Sequence, residues 1–553
     1  MNRSCRLLAL ALGLCASACA NHVVPIQIHV LTKKCGSVAG PAPTDGVDHY
    51  KATLRAPDLQ PLVQIFAAGA PVKFEKVPPG TGRTLTLVGY HGDPTNNAGA
   101  VKALGQSASF DVPDNVGDGR VVDVNIVLHP AGLFSGVQTV ADPGTCAELS
   151  LPRAGHTATL LKDGRVLIAG GYALGDGGAA VSLPLDAGFD ENGWVFTSSA
   201  EIFDPATGSS KPVAAIYDPV QGLETPLAFH TASLLPSGQV LVAGGERAGG
   251  GSIGARQTAM TYDPAADAWR LSYMHAAELD VGGVVNLPRS RHQAVVDSAG
   301  RVMLLGGVRF DSNSNAVPAP EVIWFNPADA GYRSVFDLGG QQPLSLPRIG
   351  LSAAAAAGGA YIFAAGGTAP VDGGTALASP ALVFFTFDGG YSVAGYEDES
   401  TAPSLTPVTR AALAPLGTDT GHLLLAGGLV AGDALATQAQ VIGLYSPAVN
   451  TSPPVAPAAQ RADPCAAVLH DGRVLVVGGQ GPGPASSSQV DLWAIKNGSA
   501  TSNVTGGLVL GRTQHTCTVL ADGSVLVTGG VSLANGRYTV LKSIELYAPV
   551  PLE

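Results

Sequence analysis

Six arginines recur at one place in a repeated segment of this 553-residue sequence, and a guanidinium is a forked donor suited to a carboxylate, a phosphate or an acidic sugar. They are Arg153, Arg289, Arg348, Arg410, Arg461 and Arg512, with Leu227 in the second copy. Three residues further on stand His156, His230, His292 and His515, with Leu351, Leu413 and Pro464 in the other copies. Four imidazoles in register resemble a metal ring, yet each faces a glycine across its hairpin and so has a packing reason for its place. Glu246, Arg247 and Arg309 lie near the same end of the segment, in a chain with only 13% charged residues. They read either as ligand contacts or as solvated loop. Cys465 and Cys517 fall one alignment position apart in neighbouring copies, so facing surfaces can join them as a disulfide or leave them as two buried thiols. The sequence has no Ser-His-Asp elbow, phosphate loop, HExxH or CxxC, so no catalytic residue, metal or cofactor is expected.

The elements that position these residues are legible as a repeat. HTATLLKDGRVLIAGG begins at His156, HTASLLPSGQVLVAGG at His230 and HTCTVLADGSVLVTGG at His515. Seven glycine doublets close such segments, at Gly170-Gly171, Gly244-Gly245, Gly306-Gly307, Gly366-Gly367, Gly427-Gly428, Gly478-Gly479 and Gly529-Gly530, a period of about 60 residues. A third apolar segment follows each doublet, as in AEIFDP from Ala200 and IELYAP from Ile544. Strands such as VLIAG are apolar at successive positions, which requires both sheet faces to be buried. Asp163-Gly164 and Asp471-Gly472 are expected to supply the positive φ values of a two-residue hairpin turn. Antiparallel pairing then puts the arginines and the doublets at one end. The arginines there either bind an anion or tie the sheets locally.

This repeat resembles the kelch repeat, whose units are four-stranded blades of a β-propeller. The resemblance spans about residues 140 to 550 and implies an all-β, seven-bladed kelch-type propeller over 153–553. A strand from about Gly136 to Cys146, within a linker over 131–152, is expected to complete the last blade and so remove an exposed edge. Ile349 to Gly367, apolar and of spanning length, reads as a buried hairpin because it falls in register with the repeat.

Residues 21–130 lack the repeat and alternate with period two, as in Thr84-Leu85-Thr86-Leu87 and Val122-Asp123-Val124. One wet and one buried face per strand fits a small two-sheet sandwich, similar to Ig-like or transthyretin-like modules, serving as a spacer. Residues 1–20 read as an export signal, with Arg3 and Arg6 ahead of an apolar stretch. Its end, Leu14-Cys15-Ala16-Ser17-Ala18-Cys19, resembles a bacterial lipobox, which implies lipidation at Cys19 and an outer-membrane lipoprotein facing periplasm or cell surface. Cleavage after Ala18 or Ala20 would instead release a soluble secreted chain.

Composition narrows the remaining classes. With 71 Gly and 40 Pro the chain is not mostly helical, and 46% apolar residues exclude disorder. A net charge of −12 without a basic run excludes nucleic acid as a partner. The expectation is therefore not an enzyme but a binding or scaffolding lipoprotein, taking a protein, peptide or glycan on the arginine-bearing face. Two further readings follow from the resemblance. Exported kelch propellers include sialic-acid mutarotases, for which Glu246 and the arginines would be the acid/base and carboxylate binders. Galactose and glyoxal oxidases carry a copper-radical site that requires a Tyr-His pair opening one repeat; here that place reads Phe229-His230.

Overall fold

In the computed structural model the chain is all β apart from one short 3-10 turn among the described residues. These cover most of 23–550; outside them lie 1–22, 36–41, 115–120, 175–193, 277–284, 335–347, 369–381, 397–404, 551–553 and several shorter gaps. Cys19 and the lipobox-like stretch therefore lie outside the described residues. No described helix is long and apolar enough to cross a membrane. Two compact units result, one of 1–32 with 44–128 and one of 33–43 with 129–553.

The first unit is built from alternating strands. Val24–Leu31 pairs antiparallel with Val72–Val77 and parallel with Val122–Val127, while His49–Ala56 lies between Leu59–Ala67 and Gly80–His91. Their inward residues, among them Ile26, Leu54, Phe74, Leu85, Leu87 and Ile126, form one core. Period-two alternation thus gives two half-buried sheets.

The second unit is a β-propeller of kelch type at the coarse level. In the first repeat, Thr157–Leu160, Val166–Ala169, Ala200–Asp204 and Ser209–Val213 form an antiparallel four-stranded sheet, and the second, fifth and sixth repeats follow the same order. The third adds His275–Ala276 and Val285–Asn286 to its sheet, and the fourth consists of two hairpins, Ile349–Ala356 with Tyr361–Thr368 and Leu382–Phe387 with Tyr391–Tyr396. The apolar run at 349–367 is thus a hairpin.

The second strands Val166–Ala169, Val240–Ala243, Val302–Leu305, Val474–Val477 and Val525–Thr528 are buried along their whole length, because each sheet is covered on both faces by its neighbours. The first strands of the seven repeats neighbour one another in a closed cycle, that of the seventh lying beside that of the first. The doublets make this close approach possible: a Cβ on Gly170 would run into the Leu227 carbonyl oxygen of the next repeat and lie 2.8 Å from its His230 Cε1, and the φ of Gly170 is +63°.

Two sequence expectations are corrected here. The strand that completes the last sheet is Phe134–Gly136, pairing with Ile544–Tyr547, rather than Gly136 to Cys146. The later residues instead turn at Asp142, whose side chain and carbonyl accept from Thr145 and Thr139, and end in a Cys35–Cys146 disulfide. The hairpin turn at Asp163-Gly164 is also longer than two residues. Leu161 and Arg165 close it, only Gly164 has positive φ, and Asp163 Oδ1 accepts from the Arg165 amide.

Candidate functional site

The arginine place is interior. Arg153, Arg289, Arg348, Arg461 and Arg512 are all buried to within 2% of completely. Arg153 donates to the carbonyls of Gly170 and Ser199 at 2.8 and 3.1 Å and to Glu201 Oε1 at 2.9 Å. Arg461 repeats the pattern with the carbonyls of Val476 and Gln489 and with Asp491 Oδ2 at 2.7 Å, and Arg512 with those of Gly529 and Ser543 and with Glu545. Arg289 and Arg348 reach the carbonyls of Leu304 and Gly366. Burial lowers the Arg348 pKa to about 10 and also lowers those of Arg153, Arg461 and Arg512, against the opposing pull of their acids.

Where the arginine is missing, its acid is missing as well. In the second repeat Leu227 and Met260 share one apolar cluster in place of Arg and Glu; in the fifth, Val408 and Gln440 hold the two places. An ion pair that an apolar pair can replace is a packing device. The expectation that these arginines meet a ligand is corrected on their burial: the guanidinium groups are turned toward carbonyls and, in three repeats, an acid inside the sheets.

Arg410 does not belong to that set. The bridge Thr409↔Leu429 matches Ala154↔Tyr172, Ala228↔Glu246, Ser290↔Val308, Ala462↔Gln480 and Thr513↔Val531. Val408 therefore holds the buried place, and Ala411, not Leu413, holds the histidine place. The fifth hairpin is two residues longer, closing between Leu416 and His422 where the first closes between Leu161 and Arg165, so counting back from the doublet misplaces both.

The place that Arg410 does occupy forms an inner rim. Its members are Gly155, Phe229, Arg291, Gly350, Arg410, Asp463 and Gln514, and all seven have φ between +48° and +70°. Backbone amides join them from repeat to repeat: Phe229 N donates to Gly155 O (2.8 Å), Arg291 to Phe229 (3.0 Å), Arg410 to Gly350 (2.9 Å), Asp463 to Arg410 (2.9 Å) and Gly155 to Gln514 (3.2 Å). Five bulky or charged residues in the left-handed region are a local cost that a purely structural ring of glycines would avoid.

Their side chains fall into two groups, one polar and aromatic around Phe229 and Arg291 and one polar around Arg410 and Asp463. The Arg291 guanidinium, exposed on one side, lies 4.5 Å from the Phe229 ring centroid and donates through Nε to Glu246 Oε1 at 2.7 Å. Glu246 is fully buried and also accepts from Ser290 Oγ at 3.0 Å. Arg410 pairs with Asp463 through Nε at 2.9 Å and reaches Gln480 Oε1 at 3.3 Å, with both members of the ion pair partly exposed. The Tyr172 hydroxyl donates to Gln514 Oε1, and burial pushes the Tyr172 pKa up. Glu246 is legible in the sequence and Phe229 is noted there only for standing where a Tyr-His pair would, whereas Arg291, Asp463 and Gln514 belong to no motif. One sequence signal does mark them: the residue just before the histidine place varies most in chemistry within an otherwise regular repeat. Arg309 is half-buried on Val308–Phe310, across from Val317; Arg247 lies on Glu246–Gly249, and its side chain falls outside the described residues.

The repeat histidines are buried between repeats. Nε2 of His156, His230 and His292 pairs with Thr528, Thr157 and Thr231 hydroxyls at 2.9, 2.9 and 2.8 Å. Those rings are consumed in packing, as the facing glycines indicated. Cys465 and Cys517 form a disulfide between the sixth and seventh repeats.

No protein-family model matches the chain, and no curated protein matches its sequence. Among solved structures it is similar to a fungal alcohol oxidase of the AA5 family in complex with copper, at 16% identity over 72% of this chain and 75% of that one, with a TM-score of 0.49. It is also similar to YjhT, at 13% identity over 72% of this chain and 95% of that one, with a TM-score of 0.40. Likeness at this level concerns the fold. The expectation that the chain is not an enzyme is nonetheless withdrawn on this finding, since an oxidase is among the structures of similar architecture. Copper-radical chemistry does not fit the described residues at the place where the resemblance would put it. His230 is tied to Thr157 in a seam, and the Tyr172 hydroxyl is bonded to Gln514 rather than converging with histidines.

Proposed function

We propose that the inner rim is an acid-base site that interconverts the anomers of a small carboxylated sugar, a mutarotase-type activity. One observation carries the reading: five side chains held in the left-handed region at the rim supply an aromatic face, two arginines, a carboxylate and an amide. Strain of this kind accumulates where a side chain must point at a ligand. Arg291, whose Nε and Nη2 donate to Glu246, offers its outer N–H groups to the sugar carboxylate, and Phe229 offers its face to the pyranose ring.

Ring opening needs one proton removed from the anomeric hydroxyl and one delivered to the ring oxygen. Asp463 takes the first; the C–O bond breaks as the ring oxygen receives a proton from the same carboxyl group or from water, and the open-chain carbonyl closes on either face. Arg410, itself bonded to Gln480 Oε1, holds Asp463 in place. No electron changes hands, and the site acts with the chain's own residues.

The leader is proposed to export the chain and Cys19 to carry lipid; palmitate-analogue labelling lost in Cys19→Ala checks this. For the activity, anomer exchange of a sialic acid and of glucuronate is followed by NMR with glucose as the neutral control. Asp463→Asn is expected to lower the rate about 10²-fold or more, and Arg291→Ala to slow the acidic sugars selectively. An intact chain that accelerates none of the three sugars overturns the reading.

A further inference from the structure

The seam between the sixth and seventh repeats differs from the others in one place. In the seam before the first repeat, His156 Nε2 has two threonine hydroxyls within reach, Thr528 at 2.9 Å and Thr516 at 3.5 Å. The seams before the second and third repeats each supply one, from Thr157 and Thr231. By strand register the corresponding residues facing His515 are Val477 and Cys465. Both hydroxyls are gone, and one is replaced by sulfur.

His515 is 9% exposed, and neither Nδ1 nor Nε2 has a hydrogen-bond partner. The Val477 backbone lies near enough to the ring to favour its protonated form. Gly478 fixes the ring's position, since a Cβ there would lie 2.7 Å from Cε1 and 3.2 Å from Nε2. Cys517 stands two residues after His515 on Thr516–Val519, so the two project to the same face, toward the sixth repeat. The ligand atoms of Cys465, His515 and Cys517 all lie within 4.8 Å of one another, the one such group of three among the described residues.

We propose that Cys465, Cys517 and His515 form a three-donor site for a soft d10 ion, best matched by Cu(I), and that the disulfide is the ion-free form of the same site. Two thiolates and an imidazole suit a thiophilic ion. Zn(II) in a structural site takes four ligands, and no fourth His, Cys, Asp or Glu among the described residues joins the group. The lining is apolar, with Ala467, Val477 and Val519 beside the cysteines, and both cysteines are partly exposed, which lets a reductant and the ion arrive. A dithiol donor opens the disulfide by exchange: two electrons and two protons pass to the cysteine sulfurs, and the donor leaves as its own disulfide. Binding of the ion then releases the two thiol protons. This site is separate from the rim and stands whatever the rim does.

The test uses the full chain reduced with a dithiol and titrated with Cu(I) against a chromophoric Cu(I) chelator, with Zn(II) in a parallel arm. Cys465→Thr restores the hydroxyl of the other seams and is expected to melt within a few degrees of wild type while retaining one Cu(I) fewer per chain, so other thiols cancel in the difference. Cys517→Ser and His515→Gln are each expected to weaken retention of that ion by 10²-fold or more, and the oxidised chain to lack it. Equal Cu(I) retention in wild type and Cys465→Thr overturns the site. Tighter retention of Zn(II) than of Cu(I) overturns the three-coordinate assignment.

Discussion

Two rows of residues run round the propeller two positions apart, and they obey opposite rules. The inner-wall row is Arg153, Leu227, Arg289, Arg348, Val408, Arg461 and Arg512; where the arginine is lost its acid is lost too, Leu227 standing with Met260 and Val408 with Gln440, whereas Arg289 is kept with Ile323 at the acid place. The rim row keeps its backbone conformation through seven repeats while its side chains run from glycine to phenylalanine, arginine, aspartate and glutamine. A place where conformation is fixed and chemistry varies presents something outward. A place that never leaves a described buried acid without its arginine serves the sheet.

The largest expected effect lies in the buried histidines that stand beside both rows. Burial holds His129 to about 4 and His230 and His515 to about 3, and pushes His156 and His292 well below the ordinary 6.5. The unfolded chain takes up protons near 6.5 that the folded one refuses, so stability is complete above that pH and is lost as pH falls toward the folded values. Each such histidine contributes a slope of up to about 1.4 kcal/mol per pH unit. Urea midpoints are expected to fall steeply between pH 6.5 and 4.5, and His230→Gln to reduce the slope by about one proton. A flat profile would show that the seam histidines are not buried neutral groups.

Next in size is the wall itself. Arg512→Ala leaves Glu545, 2% exposed, without its cation, and is expected to cost about 3–5 kcal/mol in urea unfolding. Arg512→Leu with Glu545→Met copies the second repeat and should recover most of that loss. If the double variant is as unstable as the single one, the matched changes at Leu227 and Met260 are not compensation.

Much of this is legible in the sequence, for a physical reason. Glycine doublets and doubly apolar strands are direct consequences of sheets packed on both faces, so the propeller repeat shows in HTATLLKDGRVLIAGG itself. The arginines are visible too, but residue type does not reveal direction: Arg153 points at carbonyls and Glu201, and only that third-strand acid, 48 residues further along the chain, tells of it. Arg410 is misassigned from sequence because a two-residue insertion in its hairpin is silent when counting from the doublet. The rim escapes because its common property is a φ angle, which Gly155, Phe229, Asp463 and Gln514 share without sharing any side-chain chemistry.

The smallest expected effect is the sharpest test of the comparison. Arg410→Gly gives the rim place the residue that its φ of +58° favours, relieving strain of about 1 kcal/mol. Against this stand the lost ion pair with Asp463, partly exposed on both sides and worth about 0–1 kcal/mol, and the added freedom of glycine in the unfolded chain, about 0.4–1 kcal/mol. The terms nearly cancel. Urea unfolding of Arg410→Gly should therefore fall within about 1 kcal/mol of wild type, far from the effect of Arg512→Ala, while anomer exchange falls because Asp463 loses the group that orients it. Rescue of exchange by Arg410→Lys only in part would fit a fork that positions the carboxylate, since an ammonium supplies the charge without the two-pronged geometry. A loss of stability in Arg410→Gly as large as that in Arg512→Ala would instead place Arg410 in the wall and dissolve the distinction between the two rows.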